Sequence, residues 1–164
     1  MRSHFRFATL LALASLALYA CEGEKPAPAP APTTQAPAVV SSPSEGAKSV
    51  ASLPPPYDSA DYDMGRRLFA QCRSCHLISE GAPRRRGPNL YGVLGRKAGA
   101  EPGFEGFYSK ALLDADFIWT PELLDRWLID TQDVVPGNGM RTINGLSADQ
   151  RKNLIAYIMI EEAK

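Results

Sequence analysis

The sequence predicts an all-α fold of about four to five helices, confined to residues 57–164. Three observations lead to it. Two stretches open with strong helix N-cap signals and continue with apolar residues at helical spacing. The segments between them are rich in Gly and Pro, which end helices and make turns. No stretch alternates apolar and polar residues as a half-buried strand would.

The first helix is expected from near Ser59 to Cys72, with Asp58 and Asp61 at its start and Leu68 and Phe69 on its apolar side. Gly65 inside it costs about 1 kcal/mol against Ala. It should therefore serve a close approach to another helix, the last one. A short helix begins near Ser109. The third opens Thr120-Pro121-Glu122, an N-cap followed by proline at the first helical position. Its apolar residues are Leu123, Leu124, Trp127 and Leu128. The last opens Ser147-Ala148-Asp149-Gln150, a capping box. Leu154, Ile155, Ile158 and Met159 give it one apolar stripe.

The chain before residue 57 has a different composition. Arg2, His4 and Arg6 precede an apolar run, Phe7 to Leu18, that ends at Ala20-Cys21. Residues 1–20 read as an export signal peptide. A membrane-spanning helix needs roughly 20 apolar residues, more than this run holds. Leu18-Tyr19-Ala20-Cys21 resembles the bacterial lipobox, in which the cysteine becomes the lipidated first residue of the mature chain. That reading makes Cys21 a lipid attachment site on the periplasmic side of the cell membrane. The alternative is a cleaved signal, an incidental cysteine and a soluble periplasmic product. Residues 21–56 form a Pro/Ala-rich linker, with Pro26, Pro28, Pro30 and Pro32 alternating with alanine. Fully extended it would reach on the order of 100 Å, and as a flexible coil about 30–35 Å.

Net charge is zero, and no basic run is long enough to track a phosphate backbone, so nucleic acid is not an expected partner. A monomer is expected. Arg84-Arg85-Arg86 is the one dense basic run. It reads either as a solvated loop or as a patch that steers an acidic partner.

The three cysteines are Cys21, Cys72 and Cys75, and beyond the signal peptide His76 is the single histidine. No disulfide framework follows. A zinc site of the usual Cys/His type would be one ligand short. Cys72-Arg73-Ser74-Cys75-His76 instead matches the C-x-x-C-H signature of covalent haem attachment. On a helical turn, residues three and four apart share a face. Two thiols can then bond the two vinyl groups of a porphyrin while the imidazole reaches the iron. The rival is a thioredoxin-like redox motif. It needs a preceding strand and a following helix, whereas here a helical stretch precedes and a Gly/Pro-rich loop follows.

A sixth iron ligand is sought among Met64, Met140 and Met159. Met159 lies on the apolar face of the last helix. Met64 is too near Cys72 in sequence to cross the porphyrin plane. Met140 ends the loop Val135-Pro136-Gly137-Asn138-Gly139-Met140, whose Pro and glycines can present a side chain without a helix behind it. His76 and Met140 are the expected metal ligands.

From Asp61 onward the sequence resembles class I c-type cytochromes, the group of mitochondrial cytochrome c and soluble bacterial cytochromes c. The residues that carry the resemblance are Gly65 and Phe69, the haem motif, Gly87-Pro88-Asn89-Leu90-Tyr91-Gly92, Gly95-Arg96-Lys97-Ala98-Gly99, Pro102-Gly103-Phe104, Trp119, Pro136-Gly137, Met140 and Leu154-Ile155-Ala156-Tyr157. The resemblance implies a small cytochrome c fold wrapped around one covalent haem c. It implies that the Pro88 backbone holds the free N–H of His76, and that Arg96, Tyr108 and Trp119 hydrogen-bond a haem propionate. Trp127 stands where the family often has a tyrosine bonded to the methionine sulfur. Asn138-Gly139 replaces the usual Thr-Lys.

The expected function is a membrane-tethered one-electron carrier, not an enzyme. The family implies a cytochrome bc-type complex and a terminal oxidase or photosynthetic reaction centre as partners. The alternative is a haem peroxidase or small-gas sensor, which needs a labile sixth position.

Overall fold

Asp61 starts the first α-helix, α1 (Tyr62–Phe69), by accepting a 2.9 Å hydrogen bond from the Met64 amide. The structure, a computed structural model, describes residues 49–141 and 143–162. The helix stops three residues before Cys72. Ala70 and Gln71 donate to Arg67 and Leu68, so the ladder tightens to i−3 bonds and runs into a separate 3₁₀ turn, Cys72–Ser74. The haem motif is thus on its own turn, and the first helix is shorter than the apolar pattern suggests.

Four further helices follow among the described residues: α2 (Lys110–Leu113), α3 (Pro121–Ile129), α4 (Thr131–Val134) and α5 (Ala148–Glu161). Ser109, Thr120 and Ser147 cap α2, α3 and α5, each accepting from a backbone amide of the first turn. Both bonds of the capping box at Ser147 and Gln150 are formed, at 3.2 and 2.9 Å. Helix α4 is not foreseen in the sequence, since four residues carry no readable period. It is started by Asp130, whose side chain accepts from Gln132 N. The one strand-like pairing among the described residues is a single antiparallel bridge, Lys97 with Ile118.

Helices α1 and α5 cross at Gly65. A Cβ there would lie 2.2 Å from the Asn153 carbonyl oxygen and 2.7 Å from Tyr157 Cβ, so only glycine permits the approach. The Tyr157 ring packs between Tyr62 and Phe69, at centroid distances of 5.3 and 5.2 Å. Phe69, Leu154 and Ile155 are fully buried. Each contributes about 1.5–3 kcal/mol through its apolar surface. Helix α5 buries more than the single stripe expected: Ala156, Tyr157 and Ile160 are buried as well, while Met159 is half-buried. The reason is that α5 has neighbours on two sides, α1 and α3.

Val50 precedes the composition boundary at residue 56, yet it is buried and belongs to the core with Tyr57. Leu53 packs against the same cluster. No helix among the described residues is long and apolar enough to cross a membrane. Cys21, the signal peptide and most of the linker lie outside the described residues.

Candidate functional site

The 3₁₀ turn after α1, the loop at residues 86–93, α3, the loop ending at Met140, and α5 surround a cavity of about 630 Å³. That is within the range of small-molecule and cofactor sites, roughly 300–1,000 Å³. Cys72, Cys75, His76 and Met140 all line it, as do Pro88, Tyr108, Trp119 and Trp127. Most of the remaining wall is apolar: Leu90, Val93, Phe104, Leu124, Leu128, Leu154 and Ile158.

The histidine side is held by backbone groups. His76 N donates to Cys72 O at 2.8 Å and closes the turn. Its Nδ1 lies 2.8 Å from the Pro88 carbonyl oxygen, an acceptor only, so Nδ1 carries the proton and Nε2 keeps its lone pair. Burial pushes the imidazole below its ordinary pKa, against the opposing pull of the Pro88 bond. A neutral imidazole is the form that binds a metal. A Cβ on Gly87 would lie 2.4 Å from His76 Cε1, so the backbone of residue 87 presses directly on the ring. Neither Cys72 nor Cys75 is in a disulfide. Burial pushes the Cys72 thiol up to about 11.

The methionine side is built differently. Asn138 is buried, and its Nδ2 donates to the carbonyls of Thr131 and Val135, each at 2.8 Å. Its Oδ1 accepts from Met140 N at 2.8 Å. Thr131, also buried, donates from its hydroxyl to Met140 O at 3.1 Å. Gln132 spans the loop, donating to Asn138 O and accepting from Gly137 N. Gly137 has a φ of +83°, a conformation few other residues adopt. Finally, Trp127 Nε1 donates to Met140 Sδ at 3.0 Å. Trp127 in turn meets Trp119 edge-on, with centroids 5.1 Å apart. Thr131, Gln132 and Asn138 were not singled out for the site by the sequence pattern. The available signal was an asparagine two residues before the methionine, a residue type that bonds its own backbone two positions on.

Arg96 stands apart from the other expected site residues. It does not line the cavity. Its guanidinium pairs with the Glu101 carboxylate and donates to Asn89 O at 2.8 Å and Tyr91 O at 3.0 Å. Tyr108 reaches the cavity while its hydroxyl accepts from Glu101 N at 3.3 Å. The three arginines of the basic run do three different things. Arg84 stacks on the exposed Phe107 ring, 3.7 Å from its centroid. Arg85 donates to Arg73 O at 3.1 Å, and Arg86 lines the cavity.

The wall fits a flat apolar macrocycle. Two thiols stand at its edge, and one imidazole and one thioether supply donors for a metal whose other ligands come with the macrocycle. No family model matches the chain. Curated proteins do. The chain is 39% identical to "Cytochrome c type-1" of Ascaris suum over 111 residues, 67% of this chain and 96% of that protein. It is 36% identical to "Cytochrome c 2.1" of Caenorhabditis elegans over 107 residues, 65% of this chain and 94% of the relative. It is also 36% identical to "Cytochrome c2" of Agrobacterium tumefaciens over 102 residues, 60% of this chain and 90% of the relative.

Proposed function

This chain belongs to the class I c-type cytochromes, and from that premise we propose that it carries single electrons through one haem c held by Cys72, Cys75, His76 and Met140. The observation that carries the reading is one apolar cavity lined by two unbridged thiols, a neutral imidazole and a hydrogen-bonded thioether. When bound, the haem supplies a one-electron iron couple. The chain's own residues do the rest. Pro88 and Gly87 fix the tautomer and the pose of His76. Asn138 and Thr131 fix the Met140 backbone, and Trp127 fixes its sulfur. Leu154, Ile158 and the other apolar walls exclude water, which limits reorganisation when the charge changes.

The protein is an electron carrier rather than an enzyme. A peroxidase or gas sensor would need an open or labile sixth position, and here the sulfur and the backbone of Met140 are both held. The finer reading is a carrier on the periplasmic side of the cell membrane, tied by lipid at Cys21 and swinging on the linker of residues 21–56. Val50 and Leu53 pack on the domain, so the free part of that linker ends before them. A cytochrome bc-type complex would reduce it, and a terminal oxidase or reaction centre would oxidise it. Arg86 and Phe107, which line the cavity, and Arg84, stacked on Phe107, suit an acidic redox partner.

Mass spectrometry of protein matured in a competent host tests this. It should show one covalent haem and an acylated N-terminal Cys21. The ferric protein should show a weak absorbance band near the red end, and Met140→Ala should lose it. Pigment stripped by acid-acetone, or rapid carbon monoxide binding to the native ferrous protein, would end the carrier reading.

A further inference from the structure

A half-buried carboxylate, Glu101, lies behind the cavity wall. The side chains of Arg96 and Glu101 are 15% and 12% exposed, and the two form an ion pair. Arg96 also donates to the Asn89 and Tyr91 carbonyls. Glu101 is linked to the cavity through Tyr108, whose hydroxyl accepts from the Glu101 amide while the ring lines the wall. A second cavity of about 460 Å³, lined by Ala82, Asn89, Tyr91, Arg96, Glu101 and Pro102, gives the pair its own approach for water.

We infer that Glu101 is a proton-coupling residue for the redox centre, taking up a proton through the second cavity when the iron is reduced and releasing it when the iron is oxidised. The inference rests on the haem reading above. The charge balance is simple. One electron arrives from the redox partner, one proton arrives from water at the Glu101 carboxylate, and no bond within the chain breaks. Glu101 holds its proton less tightly beside the ferric state, which carries one more positive charge. A carboxylate partly shielded from solvent feels that difference more than one in bulk water.

The groups facing the carboxylate are Arg96, Glu105 and Tyr108, and Glu162 after α5 also acts on Arg96. Burial raises the Glu101 pKa by more than Arg96 lowers it, and Glu105 adds a smaller upward push. The sign follows. The reduced protein titrates at the higher pH, so the midpoint potential falls as pH rises between the two pKa values. It is flat on either side of them.

The experiment is the midpoint potential of the holoprotein from acid to neutral pH, in the parent, in Glu101→Gln and in the exposed control Glu105→Gln. Glutamine keeps the size and an acceptor for Arg96. The parent and Glu105→Gln should show the falling segment. Glu101→Gln should lose it and have a higher potential at neutral pH, because a negative charge has gone. A falling segment that survives unchanged in Glu101→Gln belongs to the haem's own carboxylates and overturns the inference. A second measurement needs no such variant to fold. The carbon-13 resonance of the Glu101 carboxyl should titrate at higher pH in the reduced than in the oxidised parent, and equal midpoints would overturn the inference. Absence of any reversible one-electron potential in the parent would instead sink the carrier reading beneath it.

Discussion

The two sides of the cavity are held by opposite means. His76 is fixed by backbone groups: a turn from Cys72, one bond to the Pro88 carbonyl, and the backbone of Gly87 against the ring. Met140 is fixed by a network. Trp127 in α3, Thr131 in α4 and Asn138 in the loop after α4 bond it directly, Gln132 braces that loop, and all the bonds but the one from Trp127 touch loop backbone. Steric contact leaves the histidine side little room to move. Hydrogen bonds worth about 1 kcal/mol each leave the methionine side stable but separable. The methionine side should therefore be the first to let go under stress, with the histidine side persisting.

The largest effect should come from crowding the rigid side. Gly87→Ala puts a methyl 2.4 Å from His76 Cε1, and the ring cannot swing without losing its Pro88 bond. The cost should be near the upper end of overpacking, about 3 kcal/mol. For a domain of this size that lowers the thermal midpoint by roughly 10 °C or more. Thermal circular dichroism of the holoprotein checks it, and a parent-like midpoint would show that the ring has slack. Asn138→Ala tests the other side. It removes three hydrogen bonds made by a buried amide, an expected loss of about 2 kcal/mol. The loss should be local. In a denaturant titration, the red absorbance band of the ferric protein should vanish before the helix signal, while the haem stays attached. If both signals disappear together at the parent's midpoint, the two sides are not separable.

The same contrast explains what could be read from the sequence. Cys72, Cys75 and His76 are legible because their spacing sets their geometry within one turn. Gly65 is legible because a glycine inside a helix needs a reason, and its reason is Asn153 and Tyr157 across the α1–α5 crossing. Met140 follows from excluding Met64 and Met159. Asn138 and Thr131 are not legible, because a polar residue between glycines, or in a run of polar residues, reads as a wet turn. Their burial is decided by α3 and α4, and α4 is too short to show a period. Arg96 is the instructive case. The class resemblance assigns it to a haem carboxylate, and the structure adds an ion pair with Glu101. A spacing of five residues between loop positions gives no sign of such a pair. The end of α1 at Phe69 is similar, since the shift to 3₁₀ bonding at Ala70 follows from backbone geometry that residue types do not reveal.

The smallest effect should come from the one bond on the methionine side that touches the ligand atom itself. Trp127→Phe keeps an aromatic ring against Trp119 and removes the N–H that lies 3.0 Å from Met140 Sδ. The backbone clamp of Asn138 and Thr131 remains, so stability should fall by only about 1 kcal/mol and the red band should persist. The midpoint potential should still move. A donor on the sulfur draws electron density from its lone pair, which disfavours the ferric state more than the ferrous. Removing the donor makes the sulfur a better ligand for ferric iron and lowers the potential, by an amount on the order of tens of millivolts for an interaction of that strength. Spectroelectrochemical titration of the parent and Trp127→Phe measures the shift. An unchanged potential would mean that Trp127 serves packing alone, and that the hold on Met140 comes entirely from its backbone.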